Sequence, residues 1–424
     1  MLISSLRRMA ALIASGLLLL NGVVAVAVAA EPIKLGFLYP YTGPYKEMGI
    51  AEARAALLAV EEINAAGGVL GRPLELLLEN TASKPDKAVA AVKSVANQGA
   101  SMIFGGVSSA VAITAGKEAA KQGLLFFSAH SYANATTGAE GHRYIFRESY
   151  NAWMSSKALS FYLNQSLAGK RLVYVTVDYS WGHSTEASMR SFTNTDDNHV
   201  NPGYLVPFPR PKHSEIKAAL DAAQQSGAEV MVLTMAGDDL AVAMQLVHAM
   251  ELKKTMTIIV PGLTLDTVRV TGVGLLEGVV STVPWCWRLP YQYGFEKGIH
   301  FVDAFTERYE NYPSSSAAST YSIVYQFKDA VERARSLNSE RLIEALEDHT
   351  YIGLKDQQTW RGFDHQNVQS VHVVKVKTRN DAMKDRFYQD YFDILLSLPG
   401  NMAAQTQQEW TAARQAAGKP QQLQ

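Results

Sequence analysis

Along this chain short apolar runs alternate with longer stretches whose apolar residues recur every three or four positions, the marks of buried strands and one-faced helices. Residues 33–38 read as a first strand, followed by the turn-rich loop Tyr39-Pro40-Tyr41-Thr42-Gly43-Pro44-Tyr45. Ile50, Ala53, Leu57, Val60 and Ile63 then mark the packed face of a helix that Gly67-Gly68 stops. Residues 74–78 predict the next strand. Ser83-Lys84-Pro85-Asp86 has capping-box order with proline in the first turn, opening a helix to about residue 97. A strand around Met102-Ile103-Phe104 leads into a helix from Ser109 to Lys121, and residues 124–127 predict another strand.

The pattern restarts near Ile145-Phe146-Arg147. A helix over 151–166 precedes a strand at Leu172–Val177, then Asp178-Tyr179-Ser180-Trp181-Gly182 and another helix. Helices at 214–225 and 239–250 alternate with strands at 230–234 and 256–260, and one more strand ends within 281–287. Helices over 298–311, 317–335 and 339–347 precede a β pair whose clearest strand is Val371–Val376. Beyond about residue 401 the Gln- and Ala-rich chain predicts a helix or a frayed end. Such alternation argues for parallel sheets covered on both faces, and two runs of similar length argue for two similar α/β lobes.

The 424 residues, 47% of them apolar, can bury substantial cores in two or more domains. Formal net charge is -1, from 39 basic and 40 acidic residues, with no long run of one sign, so nothing points to a nucleic-acid partner. A single cysteine, Cys286, excludes an intrachain disulfide and a multi-cysteine metal cluster. The histidines have no metal-ligand spacing, and no cofactor is expected. Residues 1–30 have the order of a secretory signal peptide: Arg7 and Arg8, an apolar run, then Val26-Ala27-Val28-Ala29-Ala30 before Glu31-Pro32. The alternative is a membrane anchor of about 20 residues. The small-residue end favours cleavage after Ala29 or Ala30 and an exported, periplasmic protein.

Chemistry enters at Gly105-Gly106-Val107-Ser108-Ser109. The glycines permit a tight turn, and Ser108 or Ser109 can cap the helix that follows. A helix start of this kind is either a plain serine cap or an anion site, since its first amides are free donors beside the positive end of the helix dipole.

The N-terminal third also resembles a known family. Ile33-Lys34-Leu35-Gly36, Pro40, Thr42-Gly43-Pro44 and Gly49 match in order. So do Ala59-Val60-Glu61-Glu62-Ile63-Asn64-Ala65-Ala66-Gly67-Gly68-Val69-Leu70-Gly71-Arg72-Pro73-Leu74. Together they are similar to the opening of the type I periplasmic binding proteins, the leucine/isoleucine/valine-binding family of ABC importers. The likeness continues more loosely to about residue 395. It implies an α/β fold of two Rossmann-like lobes with parallel sheets, joined by three hinge crossings. Lobe 1 would comprise 31–148 and 284–360, lobe 2 149–283 and 361–396, with 397–424 a C-terminal tail. It further implies a monomeric, non-catalytic receptor that passes a small-molecule ligand to a permease and ATPase at the inner membrane.

For the cleft, the resemblance implies a ligand carboxylate held at Ser108 and Ser109 and by Ser131 or His130 after the next strand. Tyr45, Met48 and Trp181 fall where relatives overhang the ligand, and Trp285, Trp287 and Trp153 fall at crossings. Each tryptophan has core packing as its alternative. Relatives place a glutamate for the ligand's ammonium near Val260-Pro261, but this chain has Gly262 and Leu263. Asp238 or Asp266 could substitute, or merely cap helices. The expected ligand is therefore an amino-acid-like, amide or aromatic carboxylate, or a cation held by tryptophans. The glycine-rich stretch 272–278 precedes a strand and is no dinucleotide fingerprint. A ligand-sensing domain and, using Ser109 and His130, an exported hydrolase are the competing classes.

Overall fold

The computed structural model describes residues 30–424; the secretory signal expected on the preceding residues lies outside the described residues. Strand β1 (Ile33–Tyr39) is almost wholly buried because it is hydrogen-bonded on both sides and covered on both faces. It pairs in parallel with β2 (Leu74–Asn80) and β3 (Ala100–Gly105), and β4 (Phe126–Ser128) and β5 (Ile145–Arg147) extend the sheet in the order β2-β1-β3-β4-β5.

A second sheet repeats this order. β6 (Leu172–Val177) lies between β7 (Gly203–Val206) and β8 (Val230–Thr234), and β9 (Thr257–Val260) and β10 (Val280–Val283) follow. Two antiparallel strands, β14 (Val371–Val376) and β15 (Phe392–Leu398), close its edge. In each sheet the chain first builds to one side and then to the other, so loops diverge at the carboxyl ends of β1 and β3, and of β6 and β8. Such switch points open a crevice in a parallel sheet.

Between the sheets run three segments, after β5, after β10 and before β14. Buried polar groups tie them together, as buried polar groups must be paired. Lys355 Nζ donates to Gln369 Oε1 at 2.6 Å and to the carbonyl of Pro284, and Gln369 Nε2 donates to the carbonyl of Glu148. Gln366 Nε2 donates to the carbonyl of Ser149 at 2.8 Å.

Several elements differ from expectation. Ile145–Arg147 completes the first sheet and does not begin the second run. In the Lys46–Ala65 helix the packed stripe runs through Met48, Glu52, Ala55, Ala59 and Ile63, whereas Leu57 is exposed. Alanines on that stripe let the Ser315–Ala334 helix approach closely, which outweighs burying the larger leucine. Lys84, not Ser83, precedes the Pro85–Asn97 helix, and no side chain caps it. Strand β7, a three-residue apolar run between prolines, and a small polar antiparallel sheet, β11 (Thr350–Ile352), β12 (Gln357–Trp360) and β13 (Asn367–Val368), are too short to announce themselves. The tail forms a capped helix, Gln407–Ala416, whose buried Trp410 donates to the carbonyl of Thr137 at 2.9 Å. Among the described residues no helix is long and apolar enough to cross a membrane.

Candidate functional site

Six strand ends converge on one cavity. The loops after β1, β3 and β4 bring Tyr45 and Met48, Val107 and Ser109, and His130 and Tyr132; those after β6, β8 and β9 bring Tyr179 and Trp181, Ala236, and Gly262. None of these ten side chains carries a carboxylate, ammonium or guanidinium. Burial pushes the His130 imidazole down to about 3, so it is neutral at pH 7. The cavity's polar groups are the tyrosine hydroxyls, the neutral imidazole and the start of the Ser109–Lys121 helix. Ser109 Oγ accepts the Ala133 N–H at 3.1 Å, leaving its own proton to donate. No side chain caps this helix, so its first amides are free donors, and its first residue, Ser109, lines an otherwise neutral, aromatic site.

The second-lobe wall is bare backbone at Gly262, which takes φ +75°; a Cβ there would stand 3.2 Å from the Tyr132 ring. Tyr132 in turn stacks on Tyr150, with centroids 4.6 Å apart, and its hydroxyl lies 3.3 Å from His130 Nδ1. A tyrosine ring thus abuts the position where the resemblance implied an acidic side chain. With the two walls in contact, the cavity holds about 20 Å³. That is room for little more than one water, so a larger solute enters only as the walls separate.

Contacts across the seam are few and local. The Tyr45 and Tyr179 hydroxyls are hydrogen-bonded at 2.9 Å, and both rings stack on Phe208. Burial raises both phenols, so they stay neutral. Pro44 O accepts from Asp238 N at 3.3 Å, an approach possible because Gly237 has φ +59° and no Cβ; one would lie 2.3 Å from that oxygen. On the other flank Asn134 Nδ2 donates to Ser188 Oγ at 2.9 Å.

Tyr45, Met48, Ser109, His130 and Trp181 therefore meet in one place, and the other expected site residues do not. Ser108 holds the cap position, yet its buried hydroxyl makes no cap bond and has no partner among the described residues. Ser131 turns away to Thr136 Oγ1 at 2.6 Å because it is fully buried behind the wall. Asp238 lines a separate cavity of about 10 Å³ with Glu47 and Asp266. Trp285 is core, packed on Phe301, and Trp287 stacks on Tyr312 at 3.7 Å beside an open surface depression. Both follow β10 directly, and neither lines the cleft cavity. Trp153 packs edge-on against Phe192. Missed by sequence were Val107, Tyr132 and Ala236, loop residues with no signal of their own; Tyr179 was signalled only by its neighbour Trp181. The hydrolase pairing finds no support in the geometry: no hydrogen bond joins Ser109 to His130 among the described residues, and burial lowers the imidazole to about 3, too weak a base for it.

Comparison with known proteins bears on the same arrangement. A curated leucine-, isoleucine-, valine-, threonine- and alanine-binding protein of Pseudomonas aeruginosa is 34% identical over 126 residues, 30% of this chain and 34% of that protein. The chain thus matches about a third of that relative's length. A periplasmic binding protein from Burkholderia mallei superimposes with a TM-score of 0.80 at 22% identity, over 90% of this chain and 98% of that one. A solute-binding protein of an ABC transporter from Rhodopseudomonas palustris, in complex with 3,4-dihydroxybenzoic acid, gives 0.73 at 17% identity, over 87% and 98%. These likenesses show the fold: mixed α/β, with parallel sheets in two lobes. A family model described as periplasmic binding protein matches residues 32–382, and the chain belongs to that family.

Proposed function

We propose that this chain is the exported solute receptor of an ABC importer, closing its lobes on a small carboxylate with a flat, apolar or aromatic body. Such a receptor hands its ligand to a membrane permease and ATPase and carries out no reaction of its own. The observation that carries the reading is the neutral aromatic cavity fed by the uncapped start of the Ser109–Lys121 helix. A carboxylate there gains the Ser109 hydroxyl and free helix amides. An α-amino group would be buried without an anion, which is costly. The aromatic acid carried by the Rhodopseudomonas palustris protein suits this chemistry better than the aliphatic amino acids in the Pseudomonas aeruginosa protein's name.

A thermal-shift screen tests the reading. Benzoate and 3,4-dihydroxybenzoate are expected to raise Tm, since a ligand at 100 times its Kd adds about 2.7 kcal/mol. Leucine and isoleucine are expected to leave Tm unchanged. Tight, stoichiometric calorimetric heat with leucine would overturn the ligand class.

A further inference from the structure

The face of the Lys46–Ala65 helix that carries Tyr45 and Met48 to the cavity continues one turn deeper to Glu52, since positions 45, 48 and 52 share a helix face. This face packs chiefly on the Ser315–Ala334 helix of its own lobe and also meets the second lobe at the Gly237–Ala249 and Leu265–Thr271 helices. Glu52 is fully buried, and neither carboxyl oxygen has a hydrogen-bond partner among the described residues. The charge that bears on it is another acid, Asp266, which comes from the opposite lobe and is itself buried. Asp266 Oδ1 accepts from Arg269 Nη2 at 2.9 Å, while Oδ2 is unpartnered. Facing Asp266 are Glu47 and Arg54 from the first-lobe helix, Arg269 from its own, and the Ser314 hydroxyl ahead of the Ser315–Ala334 helix. Asp238 completes the group, sharing the small seam cavity with Glu47 and Asp266. Acids on both sides of the seam thus outnumber the two arginines, and neither arginine bonds to Glu52.

We propose that closing the lobes takes up a proton on Glu52, so that the closed form is favoured in acid and the cleft opens as pH rises. The inference rests on the reading that the lobes close on a solute. It goes beyond that reading by coupling closure to protons. An unpaired carboxylate cannot be kept charged in such a site. Burial raises Glu52 well above the carboxyl range, Asp266 raises it further, and burial pushes Asp266 itself up to about 6. Opening withdraws Asp266 and the second-lobe helices from Glu52, which lowers it toward the ordinary carboxyl value of about 4.3. Between the open and closed values, each pH unit of increase therefore cuts the closed-to-open ratio by up to about tenfold, the slope for one proton.

Small-angle scattering of the mature chain at pH 5 and pH 8, with no solute present, reads this directly. The wild type is expected to be compact at pH 5 and larger at pH 8. Glu52→Gln, which keeps shape and removes the charge, is expected to lose most of the step and keep only the share that Asp266 carries. Asp266→Asn, which removes the neighbouring charge, is expected to keep only part of the step. Identical wild-type profiles at the two pH values, or a full step surviving in Glu52→Gln, would overturn the proposal. Adding 3,4-dihydroxybenzoate at pH 8 examines the binding reading by itself: compaction supports it, and its failure beside an intact pH step would remove the ligand and leave the proton.

Discussion

The two lobes present equivalent loops to one cavity, after the first, third and fourth strands of sheets with the same order, yet they bring different chemistry. The first lobe supplies the hydroxyl of Ser109, the imidazole of His130 and the Tyr132 phenol. The second supplies the Tyr179 and Trp181 rings and, at Ala236 and Gly262, little more than backbone. Both third-strand loops open a helix, but one starts at Ser109 and the other at Gly237. The first start can hold an anion, whereas the second lets Pro44 dock. In the proposed receptor one lobe would therefore grip the solute, and the other would cover it and set its size.

Breaking the cover is expected to have the largest effect. In Gly237→Ala the added Cβ would stand 2.3 Å from Pro44 O, and the φ of +59° is one that a residue with a side chain adopts only at some cost. The clash exists only with the lobes together. Scattering should show an open form, and calorimetry no measurable binding, while each lobe stays folded. Wild-type affinity in this variant would show that the seam need not close. Trp181→Ala comes next. This side chain is almost fully buried against the seam, and losing it should cost about 3 kcal/mol of closed-state packing, read as weaker solute binding. Ser109→Ala should cost about 1–2 kcal/mol, because it removes a ligand donor and leaves the Ala133 N–H without its acceptor. That loss should be larger for benzoate than for benzamide, which carries no charge, sharpening the assignment of grip to the first lobe.

The sheets were legible because their central strands, buried on both faces, are nearly continuous apolar runs. Strands β11 to β13 were not, being short and polar and held by side-chain hydrogen bonds that leave no periodic trace. Ser109, Tyr45 and Trp181 were expected at the cleft from the family resemblance, and their strand-end positions bring them to one cavity. Trp285 and Trp287 sit just as close to a strand end, but a sequence does not say on which side of a crossing a ring packs. Gly262 read as a missing acid, and only the fold shows the Tyr132 ring against it. Glu52 was least visible of all, a charged residue among alanines that reads as a solvated position until its helix is docked.

The smallest expected effect tests whether both walls share the work of closure equally. Tyr45→Phe removes one end of the 2.9 Å hydrogen bond that spans the seam and keeps the ring on Phe208. Both phenols are neutral, so the lost bond is worth about 1 kcal/mol, plus part of the cost of leaving Tyr179 buried and unpaired. In the open form both hydroxyls are hydrated, so the penalty falls on closure and appears as several-fold weaker solute binding with unchanged unfolding of the open chain. Tyr179→Phe should cost the same, because the bond is common to both. The double variant, with no orphaned hydroxyl left, should cost less than the sum of the two. Additive losses would mean that each phenol closes its wall through some other contact, and that the lobes cover the ligand independently.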